Sequence, residues 1–131
     1  MTQNDFINPP PNGSYGKSML DIPIIHLLYD FYKLWHKVSL NFPKSQRYTL
    51  GQICGTDLLL LLKNILAASA TKDRKIKLEK LRQASIKLDL IKILIRLAKD
   101  CDCLQNKSYL ELQSKLHGIG KMLGGWIKSL E

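Results

Sequence analysis

Residues 81–99 read LRQASIKLDLIKILIRLAK. Leu81, Ala84, Leu88, Ile91, Leu94, Ile95 and Ala98 recur at three- and four-residue spacing, which on an α-helix makes one apolar stripe. Leu90, Ile93 and Leu97 make a second stripe, about 120° round the helix at ~100° per residue. A helix apolar on two sides needs cover on both. One side meets the core of its own domain. The other predicts either a subunit interface or a partial covering by loops. The pattern extends back to Asp73, which gives a helix over about 73–99.

The neighbouring segments follow the same period. Upstream, a helix is predicted from Ser45 to Ala70, and it contains five consecutive leucines, Leu58, Leu59, Leu60, Leu61 and Leu62. Consecutive positions point to every side of a helix, so this run also predicts contact beyond the domain's own core. Before it, Ile24, Leu27, Leu28, Phe31, Leu34, Trp35 and Val38 mark a helix over 23–41. Asp21 fits its cap, Pro23 its first turn, and Phe42-Pro43 its stop. Downstream, Leu112, Leu116, Ile119, Leu123 and Trp126 mark a helix over 107–129, with Ser108 and Glu111 spaced as a capping box. The links are short, so successive helices should run antiparallel. The expected fold is all-α, an up-down-up-down four-helix bundle over 21–131. Residues 1–20, with Pro9-Pro10-Pro11 and Asn12-Gly13, read as an irregular arm.

Composition narrows the function. The chain has 131 residues with 20 Lys and Arg against 11 Asp and Glu, a net charge of +9. That excess points to a polyanionic partner: nucleic acid, an acidic membrane surface or an acidic protein. The 45% hydrophobic content excludes a disordered tail, and three cysteines make no disulfide framework. Cys54, Cys101 and Cys103, with no secretory leader ahead of them, are expected as reduced thiols in the cytoplasm. The apolar run Leu58–Leu62 is far shorter than the ~20 residues of a bilayer span, so no membrane is expected.

The charge is concentrated. Between Lys72 and Lys99 stand ten bases and three acids. On a helical wheel Arg74, Lys92, Arg96 and Lys99 fall within about 60°, flanked by Lys75 and Arg82. Such a ridge matches a run of backbone phosphates, although a basic helix face is often only solvated.

Other features carry less. Gly51 with Gly55 and Gly120 with Gly124 are spaced for close helix approach; Gly118 and Gly120 read alternatively as a break in the last helix. Trp35 and Trp126 read as core or interface anchors. Asp57, beside the leucine run, should pair with a base or cap a helix end. No acid pair, phosphate loop or nucleophile motif stands out, and no cofactor is implied. Cys101, Cys103 and His117 form only a weak zinc pattern, so no metal site is expected.

Three stretches carry a family resemblance: Asn41-Phe42-Pro43-Lys44-Ser45-Gln46-Arg47-Tyr48-Thr49-Leu50-Gly51, Arg96-Leu97-Ala98-Lys99-Asp100, and Ile119-Gly120-Lys121-Met122-Leu123-Gly124-Gly125-Trp126-Ile127-Lys128-Ser129. From about Asp21 onward the chain resembles the Avd family, the accessory variability determinants of diversity-generating retroelements. The wider group includes the ribosomal RNA intervening-sequence proteins. The resemblance implies a homopentameric barrel of four-helix protomers, with no catalysis of its own. It implies binding to a reverse transcriptase and to template RNA or its RNA/cDNA hybrid during mutagenic cDNA synthesis. The resembling stretches add Lys44 and Arg47 to the expected polyanion contacts, with Ser45 and Thr49 as local caps. The full expected set is Lys44, Arg47, Arg74, Lys75, Arg82, Lys87, Lys92, Arg96 and Lys99. The alternative within the family is a structured-RNA binder with no retroelement role. A small enzyme or metal protein is the alternative outside it.

Overall fold

A computed structural model describes residues 18–131. Most of the expected N-terminal arm lies outside the described residues. Its last part is ordered: Met19–Asp21 is a 3-10 turn capped by Ser18. Four helices follow, with no strand among the described residues. They are α1 (Pro23–Ser39), α2 (Lys44–Ala70), α3 (Arg74–Asp100) and α4 (Asn106–Leu130). α1 packs on α2 and α4, and α3 packs on the same two, so the helices close a square. This is the four-helix bundle that the periodicity predicts.

The core is built from the inward stripes. Phe31 and Trp35 of α1, Leu58, Leu61 and Ile65 of α2, Leu81, Ile91 and Ile95 of α3, and Leu112, Leu116 and Ile119 of α4 are all buried. Leu94 is only half-buried at the edge of its stripe. Trp35 anchors the α1–α2 contact. Its ring meets Phe42 edge-on at 5.4 Å, and its indole N–H donates to the Gly51 carbonyl at 3.2 Å.

The helix ends differ from the sequence reading. Asp21 does not cap α1. Its carboxylate accepts from the Ser18 backbone N–H at 2.7 Å, completing the cap of the 3-10 turn. α4 begins one residue early, with Gln105 at its N-cap and no capping side chain, so Ser108 and Glu111 form no capping box. α3 does start at a true cap: the Asp73 carboxylate accepts from the backbone N–H groups of Lys75 and Ile76. α2 contains a π-helical turn at Arg47–Gly51 that no periodicity announces.

The glycines of α4 also behave differently. The helix runs unbroken through them. A side chain at Gly118, Gly124 or Gly125 would meet nothing within 4 Å, so three of them line open surface rather than a close helix approach. Only Gly120 faces a neighbour, with Leu88 and Lys92 at 3.5 Å from its virtual Cβ.

Candidate nucleic-acid interface

Each expected basic contact has a definite place, and several are engaged within the protomer. Lys87 is half-buried and reaches Asp57 at 3.3 Å, across the α2–α3 contact. Asp57 therefore has the basic partner that its position beside the leucines demands, and Lys87 is a structural cation. Arg47 donates through Nη2 to the carbonyls of Leu40 and Phe42, tying the end of α1 to the start of α2. Arg74 donates to the Glu131 carbonyl at 2.9 Å, and Arg82 pairs with the Glu131 carboxylate at 3.0 Å. Those two arginines gather on the negative, C-terminal end of the α4 dipole. Lys87 thus leaves the exposed set, while Arg74 and Arg82 stay exposed with one hydrogen bond each to the end of α4. Lys44 and Lys75 stay exposed on the surface.

Lys92, Arg96 and Lys99 lie along the α3–α4 contact. Lys92 lies over the bare backbone of Gly120. Arg96 pairs with Asp100 at 3.2 Å, both side chains largely exposed, and this hydrogen bond raises the guanidinium's already high pKa. Lys99 sits 4.5 Å from the Tyr109 ring centre, a cation–π contact that holds its stem and leaves its charge unneutralised. On α4, His117, Lys121 and Lys128 share one helical face at four- and seven-residue spacing, and all three are exposed. Sequence reasoning missed Lys121 and Lys128 by counting charge only within the densest segment. Their spacing was the available signal.

Further down the groove, Lys77 is buried with its ammonium 5.8 Å from the Trp126 ring centre. Burial lowers its pKa. It belongs to the packing of α3 on α4, as does half-buried Trp126.

The apolar surface sits elsewhere on α3. Leu90, Ile93 and Leu97 are exposed, and Ile86, at 72%, is the most exposed large hydrophobic residue. Ile86, Leu90, Ile93 and Leu97 follow a four-three-four spacing, the seam of a coiled coil. On α2, Ile53 and Leu60 are also exposed. The leucine run needs a correction. Leu58 and Leu61 are buried in the protomer's own core and offer no interface surface, while Leu62 is half-buried against it. Leu59 is exposed beside α1, in a cleft with Tyr32 and Trp35.

Cys54, Cys101 and Cys103 are free thiols. Burial, with Asp57 nearby, pushes the Cys54 thiol up to about 12. Burial also raises Cys103. Among the described residues no three His, Cys, Asp or Glu side chains come together as metal ligands, and His117 lies well along α4 from the Cys101–Cys103 turn. One helix, Lys44–Ala70, is long and apolar enough by length and composition to cross a membrane, a longer apolar segment than its five leucines alone. Its Cys54, Leu58, Leu61, Ile65 and Ala68 are buried in the bundle.

A family model described as bAvd-like matches residues 24–130. No match to the chain is found among curated proteins.

Proposed function

The chain belongs to the bAvd-like family of accessory proteins, and from that premise we propose that it serves a diversity-generating retroelement without catalysis of its own. In this reading it binds the reverse transcriptase and the template RNA, or the RNA/cDNA hybrid, in the cytoplasm. It does so as a homopentamer.

One observation carries the proposal: α3 separates two kinds of surface. Its Ile86, Leu90, Ile93 and Leu97 seam is apolar and uncovered. Its Lys92, Arg96 and Lys99 row lies on another side, with Lys92 against Gly120 and Lys99 against Tyr109 of α4. A helix so divided can join copies through one side while displaying cations on the other. Five copies at +9 each concentrate a strong positive field on one particle. The open glycine surface of α4 lets a phosphate backbone approach without meeting side chains.

The test is RNA affinity as a function of salt. Binding should weaken steeply as salt rises, because phosphate contacts release counterions. Replacing Lys92, Arg96 and Lys99 together with Glu should remove most of the affinity and flatten the salt slope. Unchanged binding by that folded triple variant sinks the groove assignment. Co-purification with the retroelement's reverse transcriptase tests the protein partner. RNA binding without it favours the intervening-sequence type of function.

A further inference from the structure

A second cleft, of about 220 Å³, lies between α1 and α2, away from the α3–α4 groove. Seven of its lining side chains can donate hydrogen bonds; Trp35 and Ser39 already donate to the Gly51 and His36 carbonyls, which leaves Tyr32, His36, Arg47, Gln52 and Thr56. None of its lining residues is a carboxylate. Arg47 brings a charge that no acid among the described residues neutralises: its guanidinium donates to the two carbonyls of Leu40 and Phe42. Those bonds fix the guanidinium plane, and its Nε is buried with no hydrogen-bond partner.

The backbone around the cleft is unusual as well. The π-turn Arg47–Gly51 puts both of its end residues in the lining. Turns of this kind are rare and recur at functional sites. Gly51 and Gly55, disfavoured inside a helix, leave the cleft floor bare. A Cβ at Gly55 would sit 3.8 Å from the Trp35 Nε1 atom, an ordinary contact, so packing alone does not require glycine there.

A fixed, unneutralised guanidinium, several further donors and no competing acid make an oxyanion site. We infer that the α1–α2 cleft binds a phosphate group, with Arg47 as the charge and His36, Tyr32, Gln52 and Thr56 as surrounding donors. The site stands apart from the α3–α4 groove and does not depend on it. The phosphate can come from an RNA backbone, an RNA 5′ end or a free nucleotide, since the chemistry is shared.

The cleft carries its own reporter. The Trp35 indole N–H bonds the Gly51 carbonyl at the floor, and Trp126, the other of two tryptophans, packs between α3 and α4. The two indole signals in a ¹⁵N–¹H spectrum therefore report separate places. Full-length protein is titrated with inorganic phosphate, uridine 5′-monophosphate, uridine, and one short oligoribonucleotide bearing either a 5′-phosphate or a 5′-hydroxyl. The Trp35 signal should move saturably with phosphate and the monophosphate, and not with uridine. Equal shifts from both oligonucleotides assign the site to backbone phosphate. A shift only from the phosphorylated one assigns it to the 5′ end, and from neither to a free nucleotide.

Arg47→Gln should weaken binding about tenfold, as expected for loss of a charge-assisted contact. Because Arg47 also ties α1 to α2, His36→Gln and Gly55→Ala are made beside it, and each should weaken binding several-fold with the fold intact. The variant carrying Glu at positions 92, 96 and 99 should keep the Trp35 response. An unmoved Trp35 signal, an equal response to uridine, or a response unchanged in both His36→Gln and Gly55→Ala overturns the assignment.

Discussion

At the scale of single residues, the informative side chains are those whose neighbours are known only in three dimensions. Asp57 beside five leucines needed a base, and the sequence made that need visible. It could not choose Lys87 from ten basic residues in the same segment, because the choice depends on the register of α2 against α3. The pair is mostly buried, with side-chain exposures of 27% for Lys87 and 12% for Asp57. Removing one partner leaves a charge poorly solvated. Lys87→Met should therefore cost about 2 kcal/mol in urea unfolding, and adding Asp57→Asn should recover much of it. RNA affinity of the folded Lys87→Met protein should stay within about twofold, in contrast to the groove variants. Cys54 gives a pH signature. Its folded pKa of about 12 lies above the ordinary 9.0, so its stabilising contribution is complete below pH 9.0 and is lost as pH rises toward 12. Across that window the protein should lose stability faster than Cys54→Ala, by up to about 1.4 kcal/mol per pH unit. Equal slopes in pH-dependent denaturation would remove burial of the neutral thiol as the cause.

At the scale of elements, the link between α3 and α4 shows how a turn is specified without its favoured residue. Asp102 has a φ of 60°, in the left-handed region. Its N–H donates to the Lys99 carbonyl, and the Cys103 N–H donates to that of Ala98. This pair of bonds is a Schellman ending, where glycine is the usual residue. Asp102→Gly should raise stability by about 0.5–1 kcal/mol, and Asp102→Ala should lower it, both read as midpoint shifts in thermal unfolding. The Cys101-Asp102-Cys103 sequence hid this turn because neither glycine nor proline marks it. Helix existence, by contrast, was legible throughout, since every inward stripe keeps its period. The leucine run was legible only as an excess: five apolar positions exceed one face, but which of them are buried depends on where α1 and α3 lie. The same holds for Arg74 and Arg82. A wheel puts them near the basic ridge, and only the folded chain brings Glu131 between them.

At the scale of the whole molecule, the unresolved demand is cover for the seam of Ile86, Leu90, Ile93 and Leu97. The sequence showed the last three as a second stripe. Ile86 escaped because polar Ser85 and Lys87 flank it, one turn ahead of the dense run that starts at Leu90, although it is the most exposed of the four. Exposed Ile53 and Leu60 on α2 widen the apolar surface of the protomer. A surface of this kind on a strongly basic chain is covered most economically by a copy of itself, provided that the cations point elsewhere. Their separation on α3 meets that condition. Light scattering coupled to size exclusion should give a mass near five protomers for nucleic-acid-free protein. Ile86→Glu with Ile93→Glu should shift it to monomer, while circular dichroism keeps its helical signal, because neither side chain belongs to the core. The monomer retains every groove cation, so its loss in RNA affinity measures what multivalency adds, and the salt slope should shallow as fewer phosphates are engaged at once. A wild-type monomer would remove the barrel. A multimer unaffected by the two substitutions would place the joint on another face. An undiminished salt slope in the dissociated variant would mean that a single protomer makes all the phosphate contacts, and assembly would then serve the polymerase rather than the RNA.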